Sequence, residues 1–209
     1  MEMKIVKTLF LAVLMVSSSC ITVNVPLGGG DTEPSFKWQL QWDAPQENSV
    51  VAFSSAIRVK DLDASGSYQL SGMVVRRMDG TLTESSSNRW SARPGSMLSE
   101  LLSRDLLLSG EYPAVFRTAA SLDNMITLEG YVREFGATQV DSLTWIAVLD
   151  VDVTLFGSRG SQVILQNNYR YERRLAEPGF KSLADQMSVL GEIWSEEVMR
   201  DLASAQSHR

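Results

Sequence analysis

Leu143-Thr144-Trp145-Ile146-Ala147-Val148-Leu149-Asp150-Val151-Asp152-Val153-Thr154-Leu155-Phe156 is the stretch on which the fold turns. Leu143, Trp145, Ala147, Leu149, Val151, Val153 and Leu155 occupy every other position, and a strand sends alternate side chains to one face. That alternation predicts a long strand and its inward side. Ile146 and Val148 place apolar groups on the other side too, the pattern of a strand covered on both faces and central in its sheet. Asp150 and Asp152 share that second face, about 7 Å apart. The separation would suit paired carboxylates in glycoside chemistry, and a solvated polar face accounts for it equally.

Working outward, Met125 to Phe135 is a second long strand, and Gly157-Ser158-Arg159-Gly160 turns the chain into a third, Gln162 to Arg174. The polar end of the third, Tyr169-Arg170-Tyr171-Glu172-Arg173-Arg174, suits a sheet edge, and the three strands predict an antiparallel meander. After Glu177-Pro178-Gly179, the residues Phe180, Leu183, Met187, Leu190, Trp194, Val198 and Leu202 recur every three or four positions, a long amphipathic helix. A coiled-coil seam or a membrane-surface helix would show the same stripe. The polar side carries more acid than base, Glu196 and Glu197 included, which favours packing on the sheet.

A first helix is expected over Met97 to Leu108, with Leu98, Leu101, Leu102, Asp105 and Leu106 in helical spacing and Ser109-Gly110 as its stop. Upstream, Asp79-Gly80 reads as a two-residue hairpin turn between Met73-Val74-Val75-Arg76-Arg77-Met78 and Thr81-Leu82-Thr83. Trp38, Leu40 and Trp42 alternate in a short strand, and Ser49 to Val59, Tyr68-Gln69-Leu70 and Ala114 to Thr118 complete the strand-like pieces. The expectation is one α/β (α+β) domain over residues 36–209, a mixed, largely antiparallel sheet with two main amphipathic helices.

Lys4 and Lys7, the apolar run Thr8 to Val16, and Ser17-Ser18-Ser19 before Cys20 read as an export signal over residues 1–19. The apolar run is too short for a bilayer, which takes about 20 helical residues. The segment resembles a bacterial lipobox, in which the cysteine is acylated and heads the mature chain; the alternative is an ordinary signal peptide that ends near a cysteine. Cys20 is the single cysteine, so no internal disulfide is available to it. Ile21 to Ser35, with Pro26, Gly28, Gly29, Gly30 and Pro34, reads as a tether that spans at most about 50 Å.

Without residues 1–19 the chain keeps 17 basic and 24 acidic residues, a net charge of −7. That balance, with no Lys/Arg cluster, argues against nucleic-acid binding. The one histidine, His208, sits in the C-terminal tail, so no Ser-His, Cys-His or His-ligated metal site can be assembled. No phosphate-binding Gly-x-x-x-x-Gly-Lys loop or Gly-x-Ser-x-Gly elbow is present. Neither catalysis nor a metal or other cofactor is expected. Arg76, Arg77, Arg89, Trp90 and Arg93 form the cluster to examine for partner binding, since Arg and Trp are enriched at interface hot spots. The alternative is that Trp90 packs at the strand-to-helix junction and the arginines are solvated.

The order Met73-Val74-Val75-Arg76, Asp79-Gly80, Arg89-Trp90, then the helix Met97-Leu98-Ser99-Glu100-Leu101-Leu102-Ser103-Arg104-Asp105-Leu106, two long alternating strands and a closing helix resembles the auxiliary lipoprotein component of ABC-type transport systems. That family includes the lipoprotein of the paraquat-inducible Pqi system. The resemblance implies a periplasmic lipoprotein anchored through Cys20, a non-catalytic accessory subunit whose partners are an ABC permease and an Mce-domain protein that move lipids between membranes. Ile21, where an aspartate would favour inner-membrane retention in similar lipoproteins, implies the outer membrane. The alternative is a lipid-carrier or envelope-assembly lipoprotein acting outside an ABC system.

Overall fold

The computed structural model describes residues 34–46, 51–118, 122–158, 160 and 162–207. The expected signal peptide, Cys20 and the tether as far as residue 33 lie outside the described residues, as does His208. In chain order the elements are β1 (Phe36–Trp38), β2 (Ala56–Val59), β3 (Asp63–Ala64), a 3-10 turn (Gly66–Tyr68), β4 (Gly72–Arg76), β5 (Leu82–Trp90), α1 (Pro94–Leu108), β6 (Val115–Phe116), β7 (Met125–Gln139), β8 (Trp145–Phe156), β9 (Val163–Arg174) and α2 (Phe180–Ser207).

β7 is the spine of the sheet. One edge pairs antiparallel with β8, from Thr127 beside Phe156 to Gln139 beside Trp145, and β8 pairs in turn with β9. This is the expected meander, with β8 in the middle. The other edge of β7 meets three pieces of the N-terminal half, all parallel to it: β2 with Val59 beside Leu128, β3 with Asp63 beside Tyr131, and β4 with Val74 beside Gly136. They amount to one interrupted strand. Ala64 to Val74 advances ten residues while Val132 to Gly136 advances four, and the excess is looped out into the 3-10 turn that carries Tyr68. β5 pairs antiparallel with β4, β1 parallel with β5, and β6 parallel with β2, completing a nine-stranded mixed sheet that curls into a half-barrel.

Both helices cover one face of this sheet. Ala147, Leu149, Val151, Val153 and Leu155 of β8 are wholly buried against the α2 stripe of Leu183, Met187, Leu190, Trp194, Val198 and Leu202 and against Leu98, Leu102 and Leu106 of α1. Each such aliphatic side chain stabilises the fold by about 1.5–3 kcal/mol, which explains why a 3.6-residue and a 2-residue period were both legible. α1 begins at Pro94, before the predicted Met97, because proline suits the first helical turn, where its missing N–H has no partner to lose. It closes with the Ser109 N–H on Asp105 O at 2.8 Å.

Five local expectations are corrected. The hairpin at Asp79-Gly80 is a three-residue loop, with the Arg77 N–H on Thr81 O at 2.8 Å and the Gly80 N–H on Arg77 O at 2.9 Å. A two-residue turn of that type needs positive φ at both residues; only Gly80 has it (85°), while Asp79 caps the Thr81 N–H at 2.9 Å. Leu143 is not inward but 78% exposed, because the Asp141 carboxylate takes its N–H at 2.8 Å and holds it in the β7–β8 loop. Among the described residues of the expected Ser49 to Val59 strand, only Ala56–Val59 form one, and Tyr68 ends a 3-10 turn. The Trp38–Trp42 strand stops at Trp38; Leu40 is then buried in the core and half-buried Trp42 packs on the helices instead of in the sheet.

Candidate functional site

The face of the sheet opposite the helices is built from the alternate residues of the same strands, and it is charged. In register across three strands lie Glu134, Asp150 and Arg170, and the Arg170 guanidinium holds Glu134 Oε2 at 3.2 Å, Asp150 Oδ2 at 2.9 Å and Glu172 Oε1 at 2.8 Å. These three carboxylates hold the Arg170 guanidinium well above its ordinary range, the Asp150 hydrogen bond most of all. Arg76 reaches Glu134 Oε1 at 3.2 Å from β4. Tyr68, buried in its turn, lies against the pair, and burial first and Glu134 second raise its hydroxyl above the usual phenol range. Arg133, the residue bulged out of β7, binds Asp152 Oδ2 at 2.6 Å.

Asp150 and Asp152 do share this face, as the alternation predicted. One amide joins them, with Asn168 Nδ2 at 2.8 Å from Asp150 and 2.9 Å from Asp152, and each carries an arginine besides. Their oxygens are occupied by neighbours, which makes them part of a polar face and leaves neither poised over a vacant reaction site. Among the described residues no group of three His, Cys, Asp or Glu side chains is placed to hold a metal ion.

The Arg/Trp cluster does not assemble as one patch. Gly72 pairs with Arg89 while Arg76 pairs with Leu82, so Arg76 and Arg77 stand at one end of the β4–β5 hairpin and Arg89, Trp90 and Arg93 at the other, about 13 Å apart. Trp90 is 2% exposed and meets Phe135 edge-on at 5.1 Å between centroids. It is a core residue, since β5 runs on through Trp90 and turns it to the helix side. Arg76 is ion-paired; Arg77 rests on Thr83 Oγ1 and Gln139 Oε1, Arg89 on Ser71 Oγ, and Arg93 is exposed at the start of α1.

A second constellation joins the N-terminal segment to both helices. The buried carboxylate of Asp105 on α1 accepts from Trp42 Nε1 at 2.8 Å and from Ser195 Oγ of α2 at 2.7 Å, and pairs with Arg104 at 2.7 Å. Arg104 also donates to the Trp42 carbonyl at 3.1 Å and stacks 5.6 Å from its ring. Gly191 lets the Trp42 ring lie on α2, since a Cβ there would come within 2.6 Å of it. An open cleft of about 1000 Å³ runs beside this clamp, lined by Trp38, Leu40, Leu101 and Ser188 among others. The helical spacing puts Asp105 on the apolar side of α1, and an acid at a core position is the signal in the sequence for this buried clamp. Tyr169 and Tyr171 of β9, which donate to Asp201 and Glu197 of α2, were visible as an alternating pair without their partners being legible.

Fold and surfaces together define an α+β half-barrel domain with one filled face and one charged face. The chain belongs to the ABC-type transport auxiliary lipoprotein component family, whose model matches residues 38–198. Among solved structures it is similar to a Xanthomonas campestris protein of the DUF330 family, at 18% identity, with 83% of this chain and 98% of that one covered and a TM-score of 0.72. A hypothetical protein from Chlamydia trachomatis shares 12% identity over 74% of this chain and 99% of its own, with a TM-score of 0.51. These two likenesses concern the fold. No curated protein matches the chain in sequence.

Proposed function

We propose that the chain is a lipoprotein of the cell envelope, acylated at Cys20 and held on the periplasmic face of the outer membrane, where it serves as a non-catalytic subunit of an ABC/Mce-type transporter that moves lipids. The family match over residues 38–198 carries this reading, and Ile21 after the cysteine supports the outer membrane. The proposed partners are the ABC permease and an Mce-domain protein, with Arg76, Arg77, Arg89 and Arg93 as contacts and Trp90 withdrawn from that role by its burial. An adapter agrees with the packing better than an acyl-chain carrier does. The space between sheet and helices is filled by the α2 stripe, so a carried chain would have to displace the core.

Affinity capture of the full-length chain from envelope membranes, beside Cys20→Ala, with intact mass of the mature N-terminus, tests the reading. Acylation with recovery of the Mce-domain protein or permease is expected. An unmodified chain with neither partner overturns it.

A further inference from the structure

Four large apolar side chains stand out from the domain at one end of the sheet. Met78 (64% exposed) and Leu82 (39%) flank the β4–β5 turn, and Val140 (53%) and Leu143 (78%) belong to the β7–β8 turn. Arg76 pairs with Thr138 in a parallel ladder, so the two turns project side by side from neighbouring strands. The Arg77 guanidinium bridges them through Gln139 Oε1 at 3.5 Å. Single exposed apolar residues are ordinary, but four gathered on two adjacent loop tips form a patch of the kind that marks an interaction site.

The chemistry of the rim selects its occupant. The two tips lie side by side, and both are held in shape by Asp79 on the Thr81 N–H and Asp141 on the Leu143 N–H. Arg77 and Arg174 stand beside them, hydrogen-bonded to Thr83 Oγ1 and Thr144 Oγ1 and in no direct ion pair among the described residues, while their charge adds to the hydrogen bonds from Thr81 and Leu143 that lower the carboxyls of Asp79 and Asp141. On the charged sheet face, by contrast, Arg76, Arg133 and Arg170 are each committed to an acid. Apolar tips with guanidinium groups behind them that make no direct ion pair match the layering of a phospholipid surface, where acyl chains lie beneath phosphates. Half-buried Trp145, packed edge-on at 6.0 Å against Phe180, sits at the same end, in the position of an interfacial aromatic.

β1 gives the rim its direction. It runs parallel to β5, so its first residue, Phe36, lies on the rim side of the strand, about 20 Å from Leu82. The fifteen residues from Ile21 to Ser35 span up to about 50 Å, ample for a lipid at Cys20 and the rim to engage one bilayer.

We infer that Met78, Leu82, Val140 and Leu143 form a second membrane contact that seats the domain, hairpin tips down, on the phospholipid surface. The inference rests on the lipoprotein reading for the presence of that bilayer. The test uses the full mature chain in vesicles of phosphatidylethanolamine and phosphatidylglycerol, with an environment-sensitive fluorophore on Leu143→Cys and, as the far-end control, on Gln166→Cys. Acylation blocks Cys20, so each variant carries one reactive thiol. The expected result is a blue-shifted probe at 143, quenched by headgroup-level lipid quenchers, and a water-like probe at 166. Flotation of unanchored Cys20→Ala protein should fall roughly tenfold for each of Met78→Asp and Leu143→Asp.

A water-like probe at 143 overturns the inference, as does a shift that follows protein density, which would assign the rim to a second copy of the chain. Intact mass judges the anchor separately: an unacylated Cys20 overturns the lipoprotein reading, and the rim then stands or falls on flotation of the Cys20→Ala series.

Discussion

β8 presents two faces built from alternate residues of one twelve-residue strand, and they behave oppositely. On one, Ala147 to Leu155 are sealed under two helices; on the other, Asp150 and Asp152, 13% and 26% exposed, sit in a lattice of arginine, amide and carboxylate groups that water reaches only in part. The inner face is where stability resides, because desolvated apolar area has no competitor there. On the outer face the gain from each ion pair is offset in part by the water its charges give up, so its net contribution is the smaller one. The surface best able to change partners is therefore the one whose alteration the fold tolerates.

The largest effect should come from the sealed side. Trp194→Ala empties the centre of the α2 stripe and is expected to cost about 3–5 kcal/mol, read from urea midpoints at unchanged slope. Trp90→Ala should fall in the same range, and a near-wild-type midpoint for either would break the contrast between the faces. Asp105→Ala leaves the Trp42 and Ser195 donors and the Arg104 charge without their acceptor, and about 3 kcal/mol of destabilisation is expected, with the N-terminal segment released to proteolysis ahead of the core.

A smaller effect lies at the β9–α2 seam. Burial first, then Asp201 and Glu197, push the Tyr169 and Tyr171 hydroxyls well above the phenol range, and burial does the same for Tyr112. Such groups stabilise the fold fully below the unfolded-state value near 10, and that contribution is lost as pH rises past it, when only the unfolded chain ionises. Thermal midpoints should decline above about pH 10, and Tyr171→Phe should flatten that limb while costing about 1 kcal/mol at pH 7. The smallest change is expected from Asp150→Asn, within about 1 kcal/mol and shrinking further in 1 M salt. A larger, salt-insensitive loss would show that the charged face is structural after all.

The meander and both helices were legible because burial enforces a period, and a period survives in one dimension. The reading of β8 as central and covered on both faces is corrected, since only β9 separates it from the edge and its second face carries Asp150 and Asp152. The three-piece edge strand was not. β2, β3 and β4 are set by register against β7, a partner some seventy residues away, and no local signal marks where a strand is interrupted. The same limit governed the candidate site. Trp90 and the arginines are near one another in sequence, yet strand pairing puts Arg76 and Arg77 at one end of the hairpin and Arg89 and Trp90 at the other. Glu134, Asp150 and Arg170 are distant in sequence and meet only in the ladder. Leu143 misled because alternation cannot show where a turn begins, and the Asp141 side chain decided that.

The junction of Trp42 with Asp105 has a mechanical meaning as well. A pull on the chain ahead of Phe36, directed along the sheet toward the hairpin tips, loads β1 against β5 lengthwise, so its backbone bonds resist together instead of opening one by one. Should they yield, the load passes to the indole, its carboxylate and the two helices they join. Tension applied at the leading end of the domain is thereby resisted first at the rim of the sheet and then in the interior, with a strand in shear as the fuse and a buried acid as the fastening.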